Sequence, residues 1–187
     1  MKHGYIFDFD GVLVNTMELH YAAYSQACIE AGVPVDKKQF FSQAGMTGRE
    51  QIRYFAARAG VQVDVEAVYR RKSELGKDWT DKSTDIACNR ELLEALRKNG
   101  GKVAIATGST RSSILPIMQK FGIEVDAIVT SEDVKRGKPN PDLFLFAAKR
   151  LGVKPEHCIV IEDSDVGIEA ARNAGMHAFR YYPRLSP

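Results

Sequence analysis

The chain has 187 residues, 44% of them hydrophobic and 27% charged, with a net charge of +2. That length suits one well-packed domain with a modest insertion and excludes two large ones, and the composition excludes a disordered or fibrous chain. The balanced charge, without a dense Lys/Arg block, leaves no electrostatic footprint for nucleic acid or a membrane surface, so the expected partner is small.

The first predicted strand, Tyr5 to Phe9, lies in YIFDFDGVLVNT and carries Asp8 and Asp10 on one side of the chain before Gly11 turns it. Carboxylates at alternate positions repel each other, which calls for a positive partner between them. Residues 17 to 80 then read as helical (MELHYAAYSQACIEAG, GREQIRYFAARAG, VEAVYRRKSELGKDW) with no alternating strand. Roughly ninety residues separate the first strand from the second, where a crossover needs only a dozen or more, so a small helical unit is inserted there. It returns near Ser83 to Asp85, and a helix around Arg90 to Lys98 ends at NGG, residues suited to a C-cap.

Beyond it, strands are expected at Lys102 to Thr107, Ala127 to Thr130, Cys158 to Ile161 and His177 to Tyr182. Helical spacing separates them: Ile114, Ile117, Met118 and Phe121; then Leu143, Phe144, Ala147, Ala148 and Leu151; then Val166, Ala170, Ala171 and Ala174. Apolar strands alternating with amphipathic helices predict an α/β fold, a Rossmann-like three-layer core with a parallel sheet and an inserted small α-helical domain. The expected core is 1–14 and 84–187, and the helical domain 15–83. Cys28, Cys88 and Cys158 form no CxxC pair and are expected as buried apolar residues in a reduced, cytoplasmic protein. The amino terminus turns acidic too early for a signal peptide, and no run is long enough to cross a membrane.

In open parallel sheets ligands bind at the carboxyl ends of the strands. There the sequence places Asp8 and Asp10, then Thr107 with Ser109 and Arg111, then Lys138, then Glu162 and Asp163. Acidic oxygen ligands from separate loops suit Mg²⁺, and Mg²⁺ beside a lysine and a hydroxyl points to a phosphoryl group. An aspartate is already ionised at neutral pH and can attack phosphorus, while a second carboxyl two residues on can shuttle the proton. Two like charges about 4 Å apart cost about 4 kcal/mol at an effective dielectric near 20, which metal and lysine must offset.

DFDGVLVNT, the TGS after the second strand, the lysine of GKPNPD and the acidic pair of IEDSDVGIEAARNAG resemble the four motifs of the haloacid dehalogenase superfamily, in order along the whole chain. The helical insertion is similar to the cap of its β-phosphoglucomutase-like and phosphoglycolate phosphatase-like branch. The resemblance implies Asp8 as nucleophile, Asp10 as general acid/base and backbone metal ligand, Thr107 and Lys138 as phosphate binders, and Glu162 or Asp163 completing the Mg²⁺ shell. It also gives His20 in NTMELH a place facing the acid/base aspartate. A true dehalogenase lacks the second aspartate, which disfavours that chemistry.

Ser164 and Asp165 suit a helix start, where Ser caps and acids favour the dipole. Ser109 and Arg111 open a helix beside the expected phosphate, and Arg49 and Lys72 are cations that could grip a substrate's far end or simply face solvent. The expected function is a Mg²⁺-dependent phosphatase for a small phosphorylated metabolite, with a sugar phosphate the expected substrate, acting as a monomer through an aspartyl-phosphate. The alternatives are a phosphomutase and, from another class, a non-catalytic phospho-ligand binder or phosphoacceptor signalling domain.

Overall fold

A computed structural model of the chain describes residues 3–182; residues 1–2 and 183–187, assigned above to the core, lie outside them. The order is β1 (Gly4–Phe7), β2 (Val14–Asn15), α1 (Met17–Glu30), α2 (Lys37–Ser42), α3 (Gly48–Ala59), α4 (Val65–Leu75), α5 (Trp79–Lys82), β3 (Thr84–Asp85) and α6 (Ala87–Lys98). Then come β4 (Lys102–Ala106), α7 (Arg111–Phe121), β5 (Ala127–Val129), α8 (Asp142–Leu151), β6 (Cys158–Glu162), α9 (Asp165–Asn173) and β7 (His177–Arg180).

Five strands form one parallel sheet in the order β5-β4-β1-β6-β7. KVAIA and CIVIE are almost wholly apolar because both faces of these strands are covered. Ile6, Ala104 and Val160 pack with Leu143, Phe144 and Ala170 of α8 and α9 on one face, whereas Phe7, Val103 and Ile105 pack with Leu93, Ile114 and Ile117 of α6 and α7 on the other. The expected three layers are present. Phe7 stands opposite Ile105 in β4 and Ile161 in β6. The chain builds outward from β1 through β4 to β5 and then crosses to β6 and β7, so the order reverses at β1 and opens a crevice beyond its carboxyl end.

Between β1 and α6 the chain leaves and re-enters through a two-stranded neck, where β2 pairs antiparallel with β3 and Val14 faces Asp85. Helices α1–α4 bury a cluster of their own, with Tyr24, Cys28, Phe40, Ile52, Phe55 and Val68. Local signals set their ends: Thr47 and Glu50 close a capping box on α3, Gly60 ends it at φ +66°, and Asp64 caps α4.

Cys28 and Cys158 are buried, but Cys88 is exposed, which corrects the expectation for that residue. It falls in the first turn of α6, whose buried side is carried by Asn89 and Leu93 instead. Among the described residues no helix is long and apolar enough to cross a membrane.

Candidate active site

Asp8 leaves β1 one residue past the sheet, its N–H donating to the Ile161 carbonyl at 3.0 Å, and Thr107 does the same past β4 towards Val129. Asp8 therefore emerges between the ends of β4 and β6, at the crevice. Gly11 has φ +85°, and a Cβ there would collide with the Asp163 carboxylate, so the turn after β1 admits only glycine.

Lys138 comes from the loop between β5 and α8 and is buried completely. Its Nζ donates to Asp8 Oδ1 at 2.8 Å and to Glu162 Oε1 at 2.6 Å. The other Glu162 oxygen accepts the Ser164 N–H at 2.7 Å and hydroxyl at 2.9 Å, and the same hydroxyl accepts the Gly167 N–H to cap α9. Both Glu162 oxygens are thus engaged within the fold. Ligand atoms of Asp8, Glu162 and Asp163 lie within 4.8 Å of one another. Three carboxylates around one ammonium leave two negative charges over, and their hard oxygen donors fit a divalent cation. Burial, with Glu162 and Asp10 adding to it against the pull of Lys138, raises the Asp8 carboxyl to about 7. Burial, then Glu162 and Asp8, raise Asp163 to about 8. Lys138 is raised as well, because Asp8 and Glu162 outweigh the burial that would lower it, and it stays an ammonium.

Asp10 lines the same cavity but engages a separate set of groups, and both of its oxygens accept hydrogen bonds. Oδ1 accepts Thr16 Oγ1–H at 2.5 Å and lies 3.1 Å from His20 Nε2; Oδ2 accepts the hydroxyls of Ser109 at 2.6 Å and Thr107 at 3.3 Å. Burial alone would raise this carboxyl, yet His20 and the hydrogen bonds from His20, Ser109 and Thr16 hold it well below the usual carboxylate range. Burial and the nearby Lys72 ammonium keep His20 below its ordinary value despite Asp10.

Above these groups the helices close a cavity of about 50 Å³, lined by Asp8, Asp10, His20, Tyr24, Tyr69 and Lys72 among others. Lys72 is 6% exposed and its ammonium lies 4.3 Å from the Trp79 ring centre, 4.8 Å from Tyr24 and 5.9 Å from Tyr69. Burial lowers it to about 8. His20 packs on Trp79 with ring centres 4.2 Å apart.

Of the residues singled out from sequence, Asp8, Asp10, Thr107, Lys138, Glu162, Asp163, Ser109, His20 and Lys72 converge here. Arg49 and Arg111 do not. Arg49 makes a two-pronged pair with Glu66 at 2.6 and 2.8 Å, and Arg111 turns to Asp133 and the Ile128 carbonyl. Arg49 nevertheless lies over the outer part of the cavity wall, its guanidinium carbon 4.2 Å from the centre of the Tyr69 ring. Asp165 pairs with Arg180 Nη1, and Nη2 of the same guanidinium donates to the Asp163 carbonyl. Thr16, Tyr24, Tyr69 and Trp79 also shape the site without having been singled out. Thr16, inside DFDGVLVNT, was within reach of the motif; the three aromatics lie on three separate helices and carry no local signal.

Residues 5–180 match the family model described as haloacid dehalogenase-like hydrolase. Fructose-1-phosphate phosphatase YqaB of Escherichia coli is 31% identical over 179 residues, covering 94% of each chain. β-Phosphoglucomutase of Bacillus subtilis is 30% identical, covering 92% of this chain and 80% of its own. A crystal structure of a hydrolase from Pseudomonas syringae superposes with a TM-score of 0.88 at 27% identity, over 95% of this chain and 83% of that one. With a parallel sheet whose strand ends gather the four motifs at one crevice, the chain belongs to the haloacid dehalogenase-like hydrolase family.

Proposed function

We propose that the protein is a Mg²⁺-dependent phosphatase of a small phosphorylated carbohydrate, acting through a phosphoryl group carried on Asp8. One arrangement carries this reading: Asp8 faces a buried ammonium and a carboxylate cluster, while Asp10, two residues on, lines the same cavity and is held by four donors. The similarity to a fructose-1-phosphate phosphatase supports the substrate class.

Asp8, Asp163 and Glu162, with the Asp10 main-chain carbonyl, would hold the cation; Asp163 is the freer ligand, since Glu162 is engaged by Lys138 and Ser164. When bound, the ion neutralises the carboxylates and the phosphoryl oxygens. Lys138 and the Thr107 hydroxyl bind the phosphoryl group. An Asp8 oxygen attacks phosphorus, the bond from phosphorus to the substrate oxygen breaks, and a proton from Asp10 goes to the departing alcohol. A water then attacks the same phosphorus, gives its proton to Asp10 and frees Asp8. Asp10 is ionised in the free protein and set for this second step; a phosphoryl dianion beside it drives a proton onto it for the first.

We also assign residues 15–83 as a cap. A cavity of about 50 Å³ is smaller than the roughly 300–1,000 Å³ of ordinary ligand pockets, so a sugar phosphate enters only when these helices swing about the β2–β3 neck. Hydrolysis of a panel of phosphorylated sugars and polyols, with MgCl₂ and with EDTA, tests the reading. Asp8→Asn is expected to lose at least about 10³-fold in kcat while keeping its melting temperature; substantial residual turnover would remove the covalent step.

A second reading, phosphomutase, is favoured by the His20–Asp10 contact together with the similarity to a β-phosphoglucomutase. Activation by a bisphosphorylated hexose separates the two.

A further inference from the structure

Glu50 is the third residue of α3 and closes its capping box: one of its oxygens, Oε2, accepts the Thr47 N–H at 3.0 Å and the Thr47 hydroxyl at 2.6 Å. A capping box needs nothing more from that carboxylate. Yet the Gly137 N–H also lies 3.2 Å from both Oε1 and Oε2. Gly137 belongs to the core, 87 residues away, and immediately precedes Lys138.

The surfaces around this bond approach at main-chain distance. A Cβ on Gly137 would stand 2.5 Å from Glu50 Oε2 and 2.7 Å from the Thr47 nitrogen; one on Gly108 would stand 2.7 Å from the Met46 carbonyl oxygen; one on Gly45 would stand 2.8 Å from Lys138 Cδ. The turn before α3 therefore sits on both strand-end loops, the one after β4 and the one that carries Lys138, and glycine is the residue at each point of contact.

We infer that Glu50 is a positioning residue that latches the helical unit shut onto the Lys138 loop. The inference rests on the reading above that residues 15–83 open and close. The capping box lies wholly within α3 and its cap, so it is present in both states and favours neither. The Gly137 bond exists only when the two surfaces meet, and an interaction shifts an equilibrium only by what differs between its states. A hydrogen bond to a charged acceptor, partly screened from water, is enough for a shift of about tenfold.

The test is amide hydrogen exchange by NMR on ¹⁵N-labelled protein saturated with MgCl₂ and inorganic phosphate. Glu50→Gln keeps an acceptor for the capping box but loses the charge and the second acceptor oxygen. Gly137 is expected to exchange about 10-fold faster in this variant, with Gln51 and other α3 amides within about twofold of wild type. In steady state, kcat/KM should fall about 10-fold, through KM. Gly137→Ala, whose Cβ blocks the same seat, should match it, and the double variant should be no worse than either single one. Unchanged Gly137 exchange in Glu50→Gln, equal loosening of α3 and Gly137, or additive losses in the double variant would each overturn the latch. Should the wild type hydrolyse no phosphomonoester, the functional reading fails, and the exchange measurement still decides the latch.

Discussion

Thr16, which precedes α1 at the entrance to the helical unit, leaves that helix uncapped and donates a 2.5 Å hydrogen bond to Asp10 in the core. The first residue beyond the neck thus sets the electrostatics of the proposed acid/base. Thr16→Val keeps the shape and removes the donor. Because this bond helps hold the Asp10 carboxyl down, the acid limb of the kcat profile should move to higher pH, by roughly one unit for a charge-assisted hydrogen bond, with kcat about 10-fold lower at the optimum.

Chelated protein should lose stability as pH rises from about 4 to 8. Asp8 and Asp163 sit at about 7 and about 8 in the folded chain, above their ordinary value of 3.8. Over that window the folded state binds more protons than the unfolded one, so raising the pH favours unfolding. The loss is on the order of a few kcal/mol. Calorimetry in EDTA at pH 5 and pH 8 reads it, and MgCl₂ should restore most of the pH 8 melting temperature; equal melting temperatures in EDTA would contradict the crowding of these carboxyls.

Lys72 offers a separate pH signature. It is charged below about 8 and neutral above, so KM for a phosphorylated sugar should rise as pH passes 8. Lys72→Met should raise KM about 10-fold at pH 7 and erase that inflection, with kcat within about threefold. The same variant relieves a buried, desolvated cation and should melt no lower than wild type at pH 7, as a thermal scan would show.

Lys138→Met is expected to behave differently, since it leaves Asp8 and Glu162 facing each other without their shared ammonium. Breaking a buried charge pair costs about 3–5 kcal/mol, so this variant should lose both turnover and several degrees of melting temperature. Adding Glu162→Gln should recover part of the stability and none of the activity.

The site divides along the same line as these predictions. Asp8, Thr107, Lys138, Glu162 and Asp163 were legible because each ends an apolar strand or lies in the loop that follows one, and a parallel sheet carries every such end to one rim. Ser109 and Arg111 show where that logic stops. They are two residues apart at one helix start, yet Ser109 reaches Asp10 while Arg111 turns to Asp133, because successive positions entering a helix point in different directions and Asp133 offered the guanidinium a nearer charge. Arg49 is held behind the cavity wall, paired with Glu66 and stacked on Tyr69, rather than lining the cavity itself.

From the sequence alone came the layered α/β core, the inserted helices and the order of the four motifs, since strand periodicity, helix spacing and turn residues are local properties of the chain. Tertiary structure alone decided which carboxylate of the acidic pair is tied to Lys138 and Ser164, what cages Lys72, and that Glu50 meets Gly137. Those outcomes depend on side chains from distant elements competing for the same partners, and that competition exists only once packing has brought them within hydrogen-bond reach.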